Sequence, residues 1–473
     1  MSMPLGYAYS SLDEEINMLK AVHENTEVSK DSLPQWVKNS EFMAGTLLKS
    51  YEEAREKPYG TGEELFRRLR NCTGGNEWAD YLQELLTCKW GELWLGDQIP
   101  ETVEHSRRHS KRLMELAANF FRCSGKRVKN IGFTDENPLP LAILIASIYL
   151  HDIGHTALSY PVAVSNDVND EKLFPLGLFP SAVRELHHIL TGEVLMSSPE
   201  RYFMSSKYPD KADVLLKCVP LIAAHHRRYT VLRRGDSAGL GSYDMIMKAG
   251  NLILGSDRFG ETLKPLEERA ENIGVPVEIL LNVTALLRVI DGCDVQSDRV
   301  ISRHYLEYRN QRSIDESRLI QSEMMSCIRQ LPKGLQNDVK LIAADISDDE
   351  ICKKIYSQFF DSLSELKEQY GTWRNVQGEA LSEFIALSLA NKLAFKREQH
   401  LHFQKHQCTG FVLPVMNDDK NIITVKIFRN NLIEGNVKAT LASIAGDIDR
   451  EYNKVRDVLK NFPVIKAEIA GGS

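Results

Sequence analysis

The chain reads as a mainly α protein with a small α+β element at its C-terminal end, and three features of the sequence carry that reading. Long stretches repeat apolar residues at helical spacing. One stretch, Leu139 to Leu150, is apolar almost without interruption, as a helix at the centre of a core would be. Alternating apolar runs with a polar turn between them occur only near the end of the chain. At 473 residues the chain is too long for one small core. The expected division is a helical region over 1–98, a core over 99–310, a helical extension over 311–405 and the α+β element over 406–473.

Residues 10–95 have amphipathic character in pieces, broken at Lys57-Pro58-Tyr59-Gly60 and at Thr73-Gly74-Gly75. In segment 103–122, Leu113, Leu116, Ala117 and Phe120 form one helical stripe. Segments 181–197, 211–226 and 276–295 have the same period, and loops rich in Pro, Gly and Asn lie between Pro161 and Pro180 and between Arg233 and Gly241. Further helices are expected at 349–370 and 376–397. Gly410 to Val415 and Ile422 to Phe428 read as two strands around the turn Asn417-Asp-Asp-Lys, with a helix at roughly 435–461 after them.

Composition narrows the class of function. The chain is 43% hydrophobic and 26% charged, with a net charge of −7, so no large nucleic-acid surface is expected. No apolar run approaches the roughly 18 residues of a membrane span, and the first nineteen residues carry Asp13, Glu14 and Glu15 where a signal sequence would be apolar. A cytoplasmic protein is expected. The eight cysteines show no C-x-x-C spacing and read as reduced thiols.

Chemistry concentrates in the core segment. Histidine and aspartate recur there as His105 and His109, His151-Asp152 with His155, His187-His188, His225-His226, and Asp291 with Asp294. Imidazole and carboxylate are the side chains that bind divalent transition metals at neutral pH. His109 stands one turn before Leu113, on the apolar stripe. Asp152 ends the most apolar helix, where a buried carboxylate needs a cation to offset its desolvation; its two oxygens can bridge two ions. Adjacent histidines on a helix diverge by about 100°, so each pair splits between an ion and a substrate or second ion. Asp291 follows the apolar run Leu286 to Ile290 and is the ligand expected from its cluster.

The ordered set His109, His151-Asp152, Asp291 resembles the HD-domain superfamily of metal-dependent phosphohydrolases. Leu150-His-Asp-Ile-Gly-His155 is similar to its signature, and Val289-Ile-Asp-Gly-Cys-Asp294 to its closing helix. The resemblance implies an HD-type helical core in which His109, His151, Asp152 and Asp291 hold one metal. His188-Ile-Leu-Thr-Gly192 and His225-His226 resemble the extra histidines of the HD-GYP branch, which complete a second site; His105 stands where that branch can carry a further ligand. Two departures from that branch stand out. His155 follows the Gly where that branch has Lys, and Arg227-Arg228-Tyr229 replaces Gly-Tyr-Pro. The run His151 to His155 is more like the deoxynucleoside triphosphate triphosphohydrolases of the superfamily.

The expected cofactor is therefore a divalent ion (Mn, Fe, Co, Mg, Zn or Ni), with ligands enough for two. The expected reaction is attack of metal-activated water on phosphorus of a (deoxy)nucleoside triphosphate. Asp152, His155 and His187 are the expected catalytic groups, and His155 or His187 would donate a proton to the leaving oxygen. Arg227, Arg228, Arg233 and Arg234 are expected to bind phosphates as bidentate forks. The alternatives are a phosphodiesterase acting on a cyclic (di)nucleotide and a non-catalytic HD module that binds a ligand and regulates a partner. The expected partner is a small-molecule nucleotide, and a homo-oligomer is compatible with the sequence.

Overall fold

The structure, a computed structural model, describes residues 62–90, 107–158, 180–236, 244–296, 349–370 and 377–380, scattered positions within 387–408, and residues 409–430 and 437–470. The expectations for His105, for residues 10–61, for most of the Pro161 to Pro180 loop and for most of the helix at 376–397 lie outside the described residues.

At the centre is helix α4, Leu139–Leu150, reached through α1 (Gly62–Asn71), α2 (Gly75–Cys88) and α3 (Arg107–Ser124). Its bounds are those read from the sequence. Every residue from Pro140 to Leu150 is buried. A helix apolar on all sides can reach that state only with neighbours all round, and α4 packs against α1, α2, α3, α7 (Pro209–Ala224) and α11 (Val277–Gly292). Pro140 is tolerated because it lies in the first turn, where its missing N–H has no intrahelical partner to lose. On α3, Leu113, Leu116, Ala117 and Phe120 are each at most 2% exposed, so the expected stripe is the buried face.

A 3₁₀ turn, Ile153–Leu158, follows α4 and lies against α5 (Pro180–Ser197), which packs in turn on α7. Short helices α6 (Pro199–Tyr202), α9 (Ser256–Leu263) and α10 (Leu266–Arg269) make the connections, and α8 (Asp244–Leu254) packs on α5 and on α12 (Asp349–Tyr370). Helix α7 ends two residues sooner than the sequence period indicates. His225 and His226 stand just past its last turn, with His225 as the C-cap at φ −111°, ψ 10°.

The C-terminal element holds one strand more than expected. Strands β1 (Thr409–Asn417) and β2 (Ile422–Arg429) form the anticipated antiparallel hairpin. Helix α13 (Lys438–Val455) then crosses back, and β3 (Val464–Ile469) pairs parallel with β2, giving the order β1-β2-β3. Helix α13 buries Leu441, Ile444, Ile448, Tyr452 and Val455, a regular helical stripe. The element is not an appendage, because β1 packs on α3 and α13 packs on α11. One hydrophobic cluster runs from the helical core into the inner face of the sheet. No helix among the described residues is long and apolar enough to cross a membrane.

Leu144 is fully buried in α4, whereas Val464 is 47% exposed in β3. Leu144→Ala is expected to lower unfolding free energy by about 2–5 kcal/mol, and Val464→Ala by less than about 0.5 kcal/mol. Denaturant unfolding of both variants checks this, and equal losses would contradict a core centred on α4.

Candidate metal centre

The most apolar helix of the chain ends by delivering two polar side chains into the core. His151 is the C-cap of α4, and Asp152 is 4% exposed. Helix α3 brings His109, α11 brings Asp291, α5 brings His187 and the turn after α7 brings His226. The two oxygens of Asp152 face different histidines. Oδ2 lies 3.4 Å from His109 Nε2 and 3.3 Å from His151 Nε2. Oδ1 lies 3.3 Å from His187 Nε2 and 3.5 Å from His226 Nε2. Asp291 Oδ1 completes the first set, 3.3 Å from His109 Nε2 and 3.7 Å from His151 Nε2.

The outer nitrogens show which way each ring is set. Nδ1 of His151 faces the Ile148 carbonyl at 3.1 Å, that of His226 faces the Ala223 carbonyl at 2.7 Å, and that of His187 faces the Arg184 carbonyl. Nδ1 of His109 faces Asp294 Oδ2 at 2.6 Å. A carbonyl or carboxylate can only accept, so each Nδ1 donates and each Nε2 is left to offer its lone pair inward. Yet the Nε2 atoms lie 3.4 Å apart in the His109–His151 pair and 3.3 Å apart in the His187–His226 pair. Two inward lone pairs at that distance repel unless a cation lies between them. Neighbouring ligands of a tetrahedral ion with bonds of about 2.1 Å stand about 3.4 Å apart, so the donor set fits a metal. Three overlapping groups could each hold an ion: His109, His151 and Asp291; His151, Asp152 and His226; and Asp152, His155 and His187. By distance, Asp152 Oδ2 sits with His109, His151 and Asp291, and Asp152 Oδ1 with His187 and His226.

Several groups hold these ligands without belonging to them. Asp294, fully buried, receives His109 on one side and Arg112 Nε at 3.1 Å on the other. A carboxylate behind a metal-binding imidazole fixes its tautomer and raises its basicity. Thr191 Oγ1 accepts from Gly154 N at 2.9 Å and lies within reach of the His151 and His187 carbonyls, at 2.7 Å and 2.9 Å. It thereby ties α5 to the turn after Asp152. Gly154 permits this closeness, since a Cβ there would stand 2.0 Å from the His187 carbonyl oxygen.

Residues 99–244 match the family model HD-CE. This part of the chain is an HD domain. No curated protein and no solved structure matches the chain. Asp291 and Asp294, on and just after α11, lie beyond the matched residues. An HD domain with buried His/Asp clusters is suited to metal-dependent hydrolysis.

Within the HD domain the two adjacent pairs divide differently from the sequence expectation. His187, not His188, lies beside His226 and the Oδ1 of Asp152. His188 is fully buried beside them, with ring centroids 5.7 Å from His187 and 6.1 Å from His226, and neither of its nitrogens has a hydrogen-bond partner among the described residues. His225 is turned away. Its Nδ1 lies 2.8 Å from the Leu221 carbonyl and its Nε2 3.1 Å from that of Lys264, so its single N–H is taken by one of these backbone carbonyls.

The four arginines also separate. Arg233 pairs with Glu278 at 3.0 Å and Arg234 pairs with Glu271, both on the surface, while Arg228 reaches Asp447 and Glu451 of α13 at 3.6 Å each. Only Arg227 of the four stays close enough to depress His155 electrostatically, and Arg184, absent from the sequence expectation, does so too. Glu185 stands between these two guanidiniums at 4.0 Å and 3.9 Å. Arg184 lies one turn before His188.

Burial would raise the carboxyls of Asp152 and Asp291, but the surrounding histidines outweigh it and hold both well below the usual range. Burial would likewise depress His151, yet Asp152 and Asp291 push it up to about 10. His155 and His226 are held far below an ordinary imidazole, first by burial and then by positive neighbours. Without an ion, a proton on His151 thus fills part of the place between the lone pairs. Metal ligation requires neutral imidazole, so loading at pH 7 is expected to release about one proton per chain, and affinity to rise with pH up to about 10. Calorimetry in buffers of different ionisation enthalpy measures this; a release of zero would refute it. Asp294→Asn is expected to weaken the first subsite about 10- to 100-fold while the fold persists, as read by chelator competition. Unchanged affinity would remove Asp294 from the support of His109.

Proposed function

We infer that the protein is a metal-dependent phosphohydrolase whose substrate is a nucleotide, most naturally a (deoxy)nucleoside triphosphate. The observation that carries this reading is the pair of subsites sharing Asp152, with a neutral imidazole and two guanidiniums beside it. Bound divalent ions would supply an activated water and offset charge on the phosphoryl group.

The remaining work falls to the chain. Asp152, anionic and 4% exposed, keeps both halves of the centre at fixed separation. His155 stacks on His187, with centroids 4.2 Å apart and planes at 17°. Its depressed basicity leaves it neutral at pH 7 in the free protein. A phosphate entering beside it would add negative charge and raise that basicity, and the role of His155 as proton donor to the leaving oxygen rests on that shift. Arg227, held over the Tyr229 ring at 5.2 Å, and Arg184 are the cations available to the remaining phosphates. Polyanionic substrates gain most from two guanidiniums. The pairing of subsites is also the observation that favours the second reading, a phosphodiesterase on a cyclic (di)nucleotide.

A panel of nucleoside triphosphates and cyclic nucleotides, assayed with Mn²⁺, Mg²⁺, Co²⁺ and Fe²⁺, separates the readings. Release of triphosphate supports the first and a linear product from a cyclic substrate the second. No turnover with any ion would leave an HD module that binds without catalysis. Asp152→Asn is expected to abolish turnover and lower bound metal. Arg227→Ala is expected to remove about 1.5–3 kcal/mol of transition-state binding, or roughly 10- to 150-fold in kcat/KM. Arg233→Ala, already paired with Glu278, is expected to stay near wild type.

A further inference from the structure

Arg288 is a buried cation that makes no ion pair among the described residues. It lies on α11, one turn before Asp291, and is 2% exposed. Its Nε donates to the His225 carbonyl at 2.7 Å, and its Nη2 lies 2.7 Å from the Thr230 carbonyl and 2.6 Å from Thr230 Oγ1. These acceptors are neutral, and no carboxylate among the described residues pairs with it. Nη1 makes no hydrogen bond among the described residues. An ionised guanidinium out of water without an opposite charge is costly by several kcal/mol, and burial drives Arg288 down to about 10 despite the more distant Glu451 and Asp236.

The side chain borders a small, shallow cleft, partly open to solvent, where the turn after His226 meets α13. Arg228, Lys454 and the acidic Asp236 also line it. Arg228 is paired with Asp447 and Glu451 at 3.6 Å each, so an anion there would share it with them, and Lys454 makes no ion pair among the described residues. The cleft thus sets three cations and Asp236 round a small opening, with Asp447 and Glu451 beside Arg228. It is separate from the His/Asp centre, since none of the ligands lines it.

We propose that this cleft is a second anion site, which takes a single phosphate group on Arg288, Arg228 and Lys454. The phosphate comes either as the free ion or as the end of a nucleotide's phosphate chain whose base stays outside. Because Arg288 also grips the carbonyls of His225 and Thr230, an anion on Nη1 fastens the turn that carries His226.

The test is titration of the full chain with inorganic phosphate at constant ionic strength, followed by calorimetry. Wild type and Asp152→Asn are expected to bind one phosphate alike, which separates this cleft from the metal centre. Lys454→Glu, on the exposed rim, is expected to weaken binding about tenfold or more with unchanged melting temperature. Arg288→Met is expected to abolish binding; should that variant not fold, Lys454→Glu decides alone. Phosphate is also expected to slow hydrogen exchange of the amides of 226–232. Displacement of phosphate by a nucleoside triphosphate in Asp152→Asn assigns the nucleotide tail, and its absence assigns the free ion. Undiminished affinity in Lys454→Glu, or binding lost in Asp152→Asn, would overturn the proposal.

Discussion

The structure depends on one requirement, that the carboxylate of Asp152 be compensated on both oxygens while buried. The preceding helix puts it there. An apolar rod such as α4 has no solvent face, so the residues just past its last turn arrive in the interior. An anion delivered to that place needs positive charge or donors on every open side. The chain answers with imidazoles from three separate directions, α3 on one side and α5 and the turn after α7 on the other. The helices round α4 are therefore arranged as much by this polar point as by their apolar stripes. The Thr191–Gly154 contact shows how little slack remains.

Much of this is legible in the sequence because burial leaves a periodic trace. The bounds of α4, the stripe of α3 and the hairpin of the tail follow from spacing alone. So do the segments that bring His109, His151-Asp152 and Asp291 together. The choice within adjacent pairs is not legible. Whether His187 or His188 faces Asp152 depends on the rotation of α5 by a single residue step, and both rings are buried either way. His225 departs from expectation because α7 ends at Ala224, which frees the two rings from the helical rotation. Pro220, inside that helix, gives no stop signal at its end.

The arginines cannot be sorted from spacing, since long side chains choose partners across the surface. Glu278, Glu271 and the acidic face of α13 claim three of the four. Strand β3 escapes a sequence reading because only Ile465 and Ala467 of it are buried, too short an alternation to stand out. Asp294 is visible as a residue but not in its role. One helical turn separates a metal ligand from the group that steadies another ligand, and only the position of His109 tells them apart.

The division of ligands along the chain has a consequence during synthesis. His109, His151, His187 and His226 all leave the ribosome before Asp291 and Asp294, the latter 185 residues after His109. Chains fold from the N-terminal side as they emerge. A nascent HD domain therefore passes through a period with four imidazoles and a single carboxylate, a donor set that favours the strongest-binding imidazole-seeking ions, copper and zinc. Arrival of α11 adds oxygen ligands and moves the preference toward harder ions. An ion held at this centre would therefore meet one donor set before α11 packs and a different one after it.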